Sequence, residues 1–239
     1  MHPPHGLGLT GSCETCPLKE EKYFCNLPKA ASKAFDAIRL TSGYPKGAVL
    51  FVEQETPRGV FVLCKGRVKL SMTSSEGKSV ILRIVHPGEV LGLHAVVSGQ
   101  AYQATAETME PCQVNFVRRD DFLRLLGQSA EASLHAAQQL SGSYQAACGQ
   151  IRSLGLANSA SQKLARFLLN WSARGQETKQ GIQVRLAMTH DEIGQMIAAS
   201  RETVTRTLGE FRHKQLVAVK GSFLLIPNKA ALESLVESQ

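Results

Sequence analysis

Two capped helices near the C-terminus are the feature that most constrains how this 239-residue chain can fold. Thr189 and Glu192 form a Thr-x-x-Glu capping box, which predicts that a helix begins there. This helix is expected to end at Ala198–Ala199, and Ser200 can then cap a second helix that runs to about Lys214. The segment therefore predicts two short helices joined by a tight turn.

The apolar residues of the second helix recur at i, i+4 and i+7, so they predict its buried side. They are Val204, Leu208 and Phe211. The outward side then presents Arg201, Glu202, Thr205 and Arg206. Arginine can donate two hydrogen bonds to guanine and glutamate can accept one from cytosine, so this side suits the major groove of DNA. On spacing alone, an ordinary pair of helices with a solvated Glu–Arg pair explains the pattern equally well.

Polar residues around the second helix complete a candidate surface for phosphates, which Thr, Arg and Lys side chains commonly contact. The candidate DNA-contacting residues are Thr189, Ser200, Arg201, Glu202, Thr203, Thr205, Arg206, Arg212 and Lys214. Residues 216–219 and 223–226 predict a small β-hairpin, or wing, after the helix. The net charge of +7 fits a polyanionic partner only weakly. The excess is denser from Asn158 onward, where 11 Lys and Arg face 7 Asp and Glu.

Short strands separated by turn signals dominate the region from Gly43 to Val117. The expected strands are Val49–Val52, Val60–Cys64, Val68–Met72, Val80–Val85 and Gln113–Val117. Their regular spacing predicts an all-β sandwich or roll.

An apolar stripe with heptad spacing follows the predicted strands. Its members are Ala137, Leu140, Tyr144, Ala147, Ile151 and Leu154. Spacings of three and four residues, with polar residues around them, favour a parallel dimerisation helix. An amphipathic helix that packs on its own domain is the alternative.

A resemblance covers nearly the whole chain. Residues 188–208, with their Ser-Arg-Glu-Thr-Val-x-Arg core beginning at Ser200, resemble the DNA-binding signature of the CRP/FNR family of bacterial transcription regulators. Lys46-Gly47, Gly66-Arg67-Val68, residues 88–92 and Glu107-Thr108 are similar to the β-roll sensor domain of that family. The resemblance implies a homodimer that reads an inverted repeat, with RNA polymerase as a further partner. It assigns base reading to Arg201, Glu202 and Arg206, and Arg201 favours a GTGA-like half-site.

The cysteines extend the resemblance to the oxygen-sensing FNR branch, which holds a [4Fe–4S] cluster on N-terminal cysteines and one β-roll cysteine. The resemblance implies Cys13, Cys16, Cys25 and Cys112 as ligands, although the eight-residue gap before Cys25 is longer than in that branch. The alternatives are a zinc ion, with His2 or His5 as further ligands, a redox disulfide, or buried thiols without a cofactor. Cys64 and Cys148 are interpreted as structural.

Cyclic AMP is not an expected ligand. Members of the family that bind it carry a Gly-Glu-Leu motif and an Arg-Ser pair, but this chain has Gly92-Leu93-His94 and Tyr102-Gln103 at these places. Without the arginine, the buried phosphate of the nucleotide would lack a counter-ion.

The sequence thus predicts an α+β chain with four parts: a cysteine-bearing segment (1–28), a cupin-like β-roll (29–128), a dimerisation helix (129–157) and a winged helix-turn-helix (158–239). It has no phosphate-binding glycine loop, nucleophile elbow or paired catalytic carboxylates, so no enzyme is expected. No apolar run is long enough to span a membrane and no secretory signal is present, so we expect a cytoplasmic protein. A ligand-sensing module that does not bind DNA, and a regulator of the same fold with an unknown small-molecule effector and no metal, are the alternatives.

Overall fold

The computed structural model describes residues 11–13, 15–19, 24–155 and 159–237. Contacts divide the chain into two units. The first contains the residues up to Gly77 together with Leu82–Ala146, and the second contains Lys78–Ile81 together with the residues from Ala147 onward. The division lies within a long helix. His2 and His5, considered above as zinc ligands, lie outside the described residues.

The described residues of the N-terminal part form eight strands and three helices, followed by a long helix. In chain order they are α1 (Lys29–Ile38), β1 (Leu40–Tyr44), β2 (Val49–Phe51), β3 (Gly59–Lys65), β4 (Val68–Thr73), β5 (Ser79–Val85), β6 (Val90–Leu91), α2 (Leu93–Ser98), β7 (Thr105–Thr108), β8 (Cys112–Arg118), α3 (Arg119–Gln128) and α4 (Ala130–Gly155). A 3₁₀ turn at Pro17–Lys19 precedes them.

The strands form two four-stranded sheets. Sheet I has the order β1-β8-β3-β6, and sheet II has the order β2-β7-β4-β5. The roll core is the apolar cluster to which both sheets contribute, and it includes Leu63, Val68 and Val114. The outer core is a second cluster, in which Val60 and Val62 of sheet I pack with residues of α1, α3 and α4. Side chains alternate across a strand, so sheet I separates the two cores.

The second unit contains a third sheet and the C-terminal helices. Its elements are α5 (Ala160–Ser172), β9 (Gln176–Thr178), β10 (Gly181–Arg185), α6 (His190–Ile197), α7 (Arg201–His213), β11 (Ala218–Lys220), β12 (Phe223–Ile226) and α8 (Lys229–Glu237). Sheet III has the order β11-β12-β10-β9. Buried residues of α5, α6, α7 and β12, such as Leu164, Ile193, Leu208 and Leu224, form one core.

The predicted strands, the two capped helices and the wing are confirmed within one or two residues at their ends. The polar segment Gly175–Gly181, which reads as a loop in the sequence, is instead a hairpin that contains β9 and the start of β10. All three residues of β9 are exposed, so no apolar pattern marked it. Its ladder with β10 holds it in place.

Candidate functional site

The turn between α6 and α7 is very tight. The side chain of Thr189 accepts a hydrogen bond from the Glu192 amide at 3.1 Å and so caps the start of α6. The helix ends at Ala198, whose φ of 51° is left-handed, and the Ala199 amide donates to the Gly194 carbonyl at 2.9 Å. A Cβ on Gly194 would lie only 2.6 Å from the Ala199 carbonyl oxygen. Glycine at this position therefore allows the turn to close on α6.

The two sides of α7 differ as its sequence predicts. Ser200 caps the helix by accepting a hydrogen bond from the Thr203 amide at 3.2 Å. The predicted inward residues Val204, Leu208 and Phe211 are buried. The residues predicted to face outward, Arg201, Glu202, Thr205 and Arg206, are all exposed, as are Arg212 and Lys214. The structure thus brings the candidate base-reading residues together on the solvent side of one helix.

The basic side chains on this side are not held in close ion pairs among the described residues. In the part of the chain that the structure describes, Arg201, Arg206, Arg212 and Lys214 form no salt bridge. The pKa of Glu202 is lowered by hydrogen bonds from its own amide and from Ser200 at the start of the helix. The carboxylate is therefore an acceptor at neutral pH, and the arginines keep their donors for another molecule.

Several hydroxyl groups in the candidate set already have partners within the protein. Thr189 and Ser200 serve as helix caps, and the Thr203 hydroxyl lies 3.1 Å from that of Ser200. The Thr205 hydroxyl donates to the Arg201 carbonyl and lies 2.8 Å from Nδ1 of His190. These hydroxyls position α6 and α7, so a contact with phosphate would share or replace a hydrogen bond that already exists.

The wing lies directly after α7. Strands β11 and β12 pair antiparallel, with Lys220 opposite Phe223, and Lys220, Gly221 and Ser222 are exposed at the turn. The Ser222 carbonyl accepts a hydrogen bond from the Leu186 amide at 2.8 Å, which ties the wing to the chain after β10.

A second candidate site is a small cavity on the outer side of sheet I. Four thiols line it, those of Cys13, Cys16, Cys25 and Cys64. Its other walls are mainly apolar, and its volume is about 20 Å³, roughly the space of one water molecule. Burial raises the pKa of Cys13, Cys25 and Cys64 to about 12, and for each of them a neighbouring cysteine raises it further. We refer to these four residues as the cysteine pocket.

Polar groups tie the segment that carries Cys13 to α1 and sheet I. The Cys13 amide donates to Asp36 at 3.4 Å, and the Asn115 amide group lies 3.9 Å from Sγ of Cys13. Arg39 donates to Asp36 at 2.6 Å and to the Gly11 carbonyl at 2.7 Å. Burial opposes ionisation of Asp36, but the hydrogen bonds from Arg39 and Cys13 outweigh it and lower the pKa of this carboxyl.

Cys112, the expected fourth ligand, does not lie in the cysteine pocket. It is fully buried in the roll core, on the other face of sheet I. Its thiol donates to the carbonyls of Glu110 at 3.2 Å and Arg67 at 3.4 Å. Gly66, whose φ is 88°, packs so closely that a Cβ there would lie 2.5 Å from Sγ of Cys112. Among the described residues, no three His, Cys, Asp or Glu side chains are placed to hold one metal ion.

Comparison with known families accounts for both units. Residues 42–129 match the cyclic nucleotide-binding domain, and residues 162–235 match the Crp-like helix-turn-helix domain. This chain belongs to the CRP/FNR family. It is a DNA-binding transcription regulator and not an enzyme, and its α+β fold with a β-roll, a long helix and a C-terminal helix-turn-helix is that of the family.

Individual relatives support the assignment. The chain is 28% identical over 193 residues to the fumarate and nitrate reduction regulatory protein of Salmonella typhimurium, covering 80% of this chain and 76% of the relative. It is 25% identical over 184 residues to the cAMP-activated global transcriptional regulator CRP of Pasteurella multocida, covering 77% and 88%. The structure of FixK2 from Bradyrhizobium japonicum has the same fold, with a TM-score of 0.74, 23% identity and coverage of 84% and 99%.

The positions where this family binds cyclic nucleotides are occupied by other contacts. Tyr102 is buried, its ring stacks on Phe51 with centroids 4.0 Å apart, and its hydroxyl donates to the Gly59 carbonyl at 2.7 Å. The Gln103 amide group lies 3.2 Å from Nε2 of His94. An aromatic ring therefore lies where the resemblance implies that a cation would be needed, and the lack of cyclic AMP binding stays a prediction.

The heptad stripe on α4 faces solvent in this chain. Tyr144 and Ile151 are 72% and 71% exposed, and Ala137 and Ala147 are also exposed. Leu140 is half-buried and contacts the outer core, while the side chain of Leu154 lies outside the described residues. Because large apolar side chains in contact with water are costly, the stripe suits an interface.

Two residues that hold the elements in place, Gln139 and His190, were not predicted from the sequence. The Gln139 side chain accepts from the Val90 amide at 2.9 Å and donates to the Val90 carbonyl at 2.7 Å, so it pairs with edge strand β6 like a neighbouring strand. His190 bonds to Thr205, fifteen residues away. Neither contact has a local spacing signal, because each depends on how distant elements pack.

No helix in the described ranges is long and apolar enough to cross a membrane.

Proposed function

We propose that this regulator acts as a homodimer that reads an inverted repeat with GTGA-like half-sites through Arg201, Glu202 and Arg206. One observation carries the proposal: α7 presents these charges on one side, where they form no salt bridge with any described residue, while its other side is buried. Arg can donate two hydrogen bonds to guanine, and Glu can accept one from cytosine. Arg212 and Lys214 then contact phosphates and position the helix.

The exposed stripe on α4 supports the dimer. Tyr144 and Ile151 are seven residues apart, so they lie on one side of a helix that two copies can pair. In such a dimer, the two copies of α7 are proposed to read half-sites about one DNA turn apart. RNA polymerase is the further proposed partner, on the basis of the family resemblance.

A [4Fe–4S] cluster held by N-terminal cysteines is the proposed sensor, and oxygen or another oxidant is the signal to which it responds. Cys13, Cys16 and Cys25 line one cavity with apolar walls, and thiolates are the usual ligands of such clusters. Each thiolate of a cluster binds a different iron, so the donors need not converge on one point as they must around a single ion. When bound, the cluster supplies oxidant-sensitive bonds between the N-terminal segment and the β-roll.

Binding-site selection from random DNA, followed by salt-dependent gel shifts, tests the DNA-binding proposal. Arg206→Ala should weaken binding by about 1–3 kcal/mol and relax specificity at one base pair per half-site. Arg212→Ala is the matched control, because a lost phosphate contact weakens binding to all sequences alike and reduces the salt slope by about 1. Selection of sites without a GTGA-like palindrome, or unchanged specificity in Arg206→Ala, would contradict the assignment.

A further inference from the structure

We propose that Cys64, and not Cys112, is the fourth ligand of the cluster, together with Cys13, Cys16 and Cys25. This inference rests on the cluster proposed above and changes the face of the β-roll to which the cluster is attached. The observation that carries it is the cysteine pocket itself, in which the Cys64 thiol joins the three N-terminal thiols.

Strand β3 places Cys64 on the pocket side. Phe61 and Leu63 point into the roll core, whereas Val60 and Val62 point into the outer core. Cys64 lines the cysteine pocket together with Val62, so it lies on the same side of sheet I and faces the N-terminal segment. The pairing with β8 also shifts register between Leu63 and Lys65, a bulge at Cys64. Bulges commonly re-aim a side chain next to a functional site.

Strand β8 places Cys112 on the opposite side. Cys112 and Val114 belong to the roll core. Asn115, the next residue of β8, pairs with Val62 of β3 and borders the cysteine pocket. To bring Cys112 into the pocket, β8 would have to slip by one residue, which would also move Val114 out of the core and Asn115 into it. The close contact with Gly66 further holds Cys112 in place.

The surroundings of the pocket suit a buried cluster. Leu18, Phe24 and Phe35 give it apolar walls. Arg39 donates to Asn115 at 3.2 Å and to Asp36 at 2.6 Å, so an ion pair, with its two charges largely balanced, lies at the edge of the pocket. Because the cavity holds only about 20 Å³, a cluster requires the segment with Cys13, Cys16 and Cys25 to lie further from sheet I than it does here.

The test compares three serine variants of the full chain after anaerobic reconstitution with ferrous iron and sulfide. Cys64→Ser should lose most of the about four irons per chain, together with the visible absorption of the cluster. Cys112→Ser should keep both, because a serine hydroxyl can donate to the same carbonyls of Arg67 and Glu110. Cys148→Ser, at an exposed position of α4, is the matched control and should also keep the cluster.

A second readout does not depend on how the Cys64 variant folds. When the wild-type chain and Cys112→Ser are both labelled with ¹³Cβ-cysteine, the variant should retain every paramagnetically shifted cysteine signal of the wild type. Loss of the cluster or of one such signal in Cys112→Ser, or an unchanged cluster in Cys64→Ser, would overturn the assignment. A wild-type chain that takes up no iron, or only zinc, would overturn it as well. Gel shifts on the selected DNA site judge the DNA-binding function independently of these outcomes.

Discussion

Replacing Gly194 by alanine tests whether the tight turn of the helix-turn-helix depends on a missing side chain. The new Cβ would lie 2.6 Å from the Ala199 carbonyl oxygen, whereas real Cβ contacts are essentially never shorter than 3.0 Å. The backbone must therefore move by at least about 0.4 Å at a buried position. Overpacking of this kind costs about 1–3 kcal/mol of folding free energy.

Helix propensity works in the opposite direction, because alanine in a helix is favoured over glycine by about 0.5–1 kcal/mol. We expect overpacking to outweigh it, since the contact is with backbone that cannot rotate away. The matched control is Gly209→Ala in α7, where a Cβ meets nothing within 4 Å. This variant should gain about 0.5–1 kcal/mol, so the two glycine substitutions should change stability in opposite directions.

Urea unfolding followed by the fluorescence of Trp171 measures the stability of the C-terminal unit that contains Gly194, because this single tryptophan lies in α5 of the same unit. With a slope of about 1–3 kcal/mol per molar urea, the midpoint of Gly194→Ala should fall by roughly 0.5–1 M. A midpoint at or above that of the wild type would show that the turn relaxes freely and would refute the argument.

Three further predictions concern the helix α4 and the β-roll. Tyr144→Asp should convert the proposed dimer to a monomer in sedimentation velocity. The chain should stay folded, because Tyr144 is 72% exposed in the single chain. The control Gln145→Asp, at a neighbouring exposed position, should leave the dimer intact. Gln139→Leu should lower the free energy of unfolding by about 1–3 kcal/mol and accelerate hydrogen exchange of the Val90 amide, because it leaves buried backbone groups unpaired. The exposed control Gln138→Leu should change this free energy by less than about 0.5 kcal/mol. Calorimetric titration with cyclic AMP should give no binding isotherm, and micromolar affinity would contradict the interpretation of Tyr102.

The helices that form the DNA-binding surface were predictable because their signals are local. Capping by Thr189 and Ser200 acts over three residues, and the apolar spacing from Val204 to Phe211 lies within three turns. Periodicity was therefore sufficient to predict which side of α7 faces solvent. Strand β9, in contrast, has only exposed polar residues and exists because β10 supplies hydrogen bonds.

The cysteines show where local reasoning ends. Their number and the family resemblance indicated a cluster site, and the sequence by itself determined that three thiols precede α1. Which further thiol lies beside them depends on the register between β3 and β8 and on which face of sheet I the N-terminal segment covers. Cys64 and Cys112 both lie on strands of sheet I, but they point to opposite sides of it. Only the tertiary structure shows which of them faces the N-terminal segment, because the packing of distant segments determines the face of a strand that each segment meets.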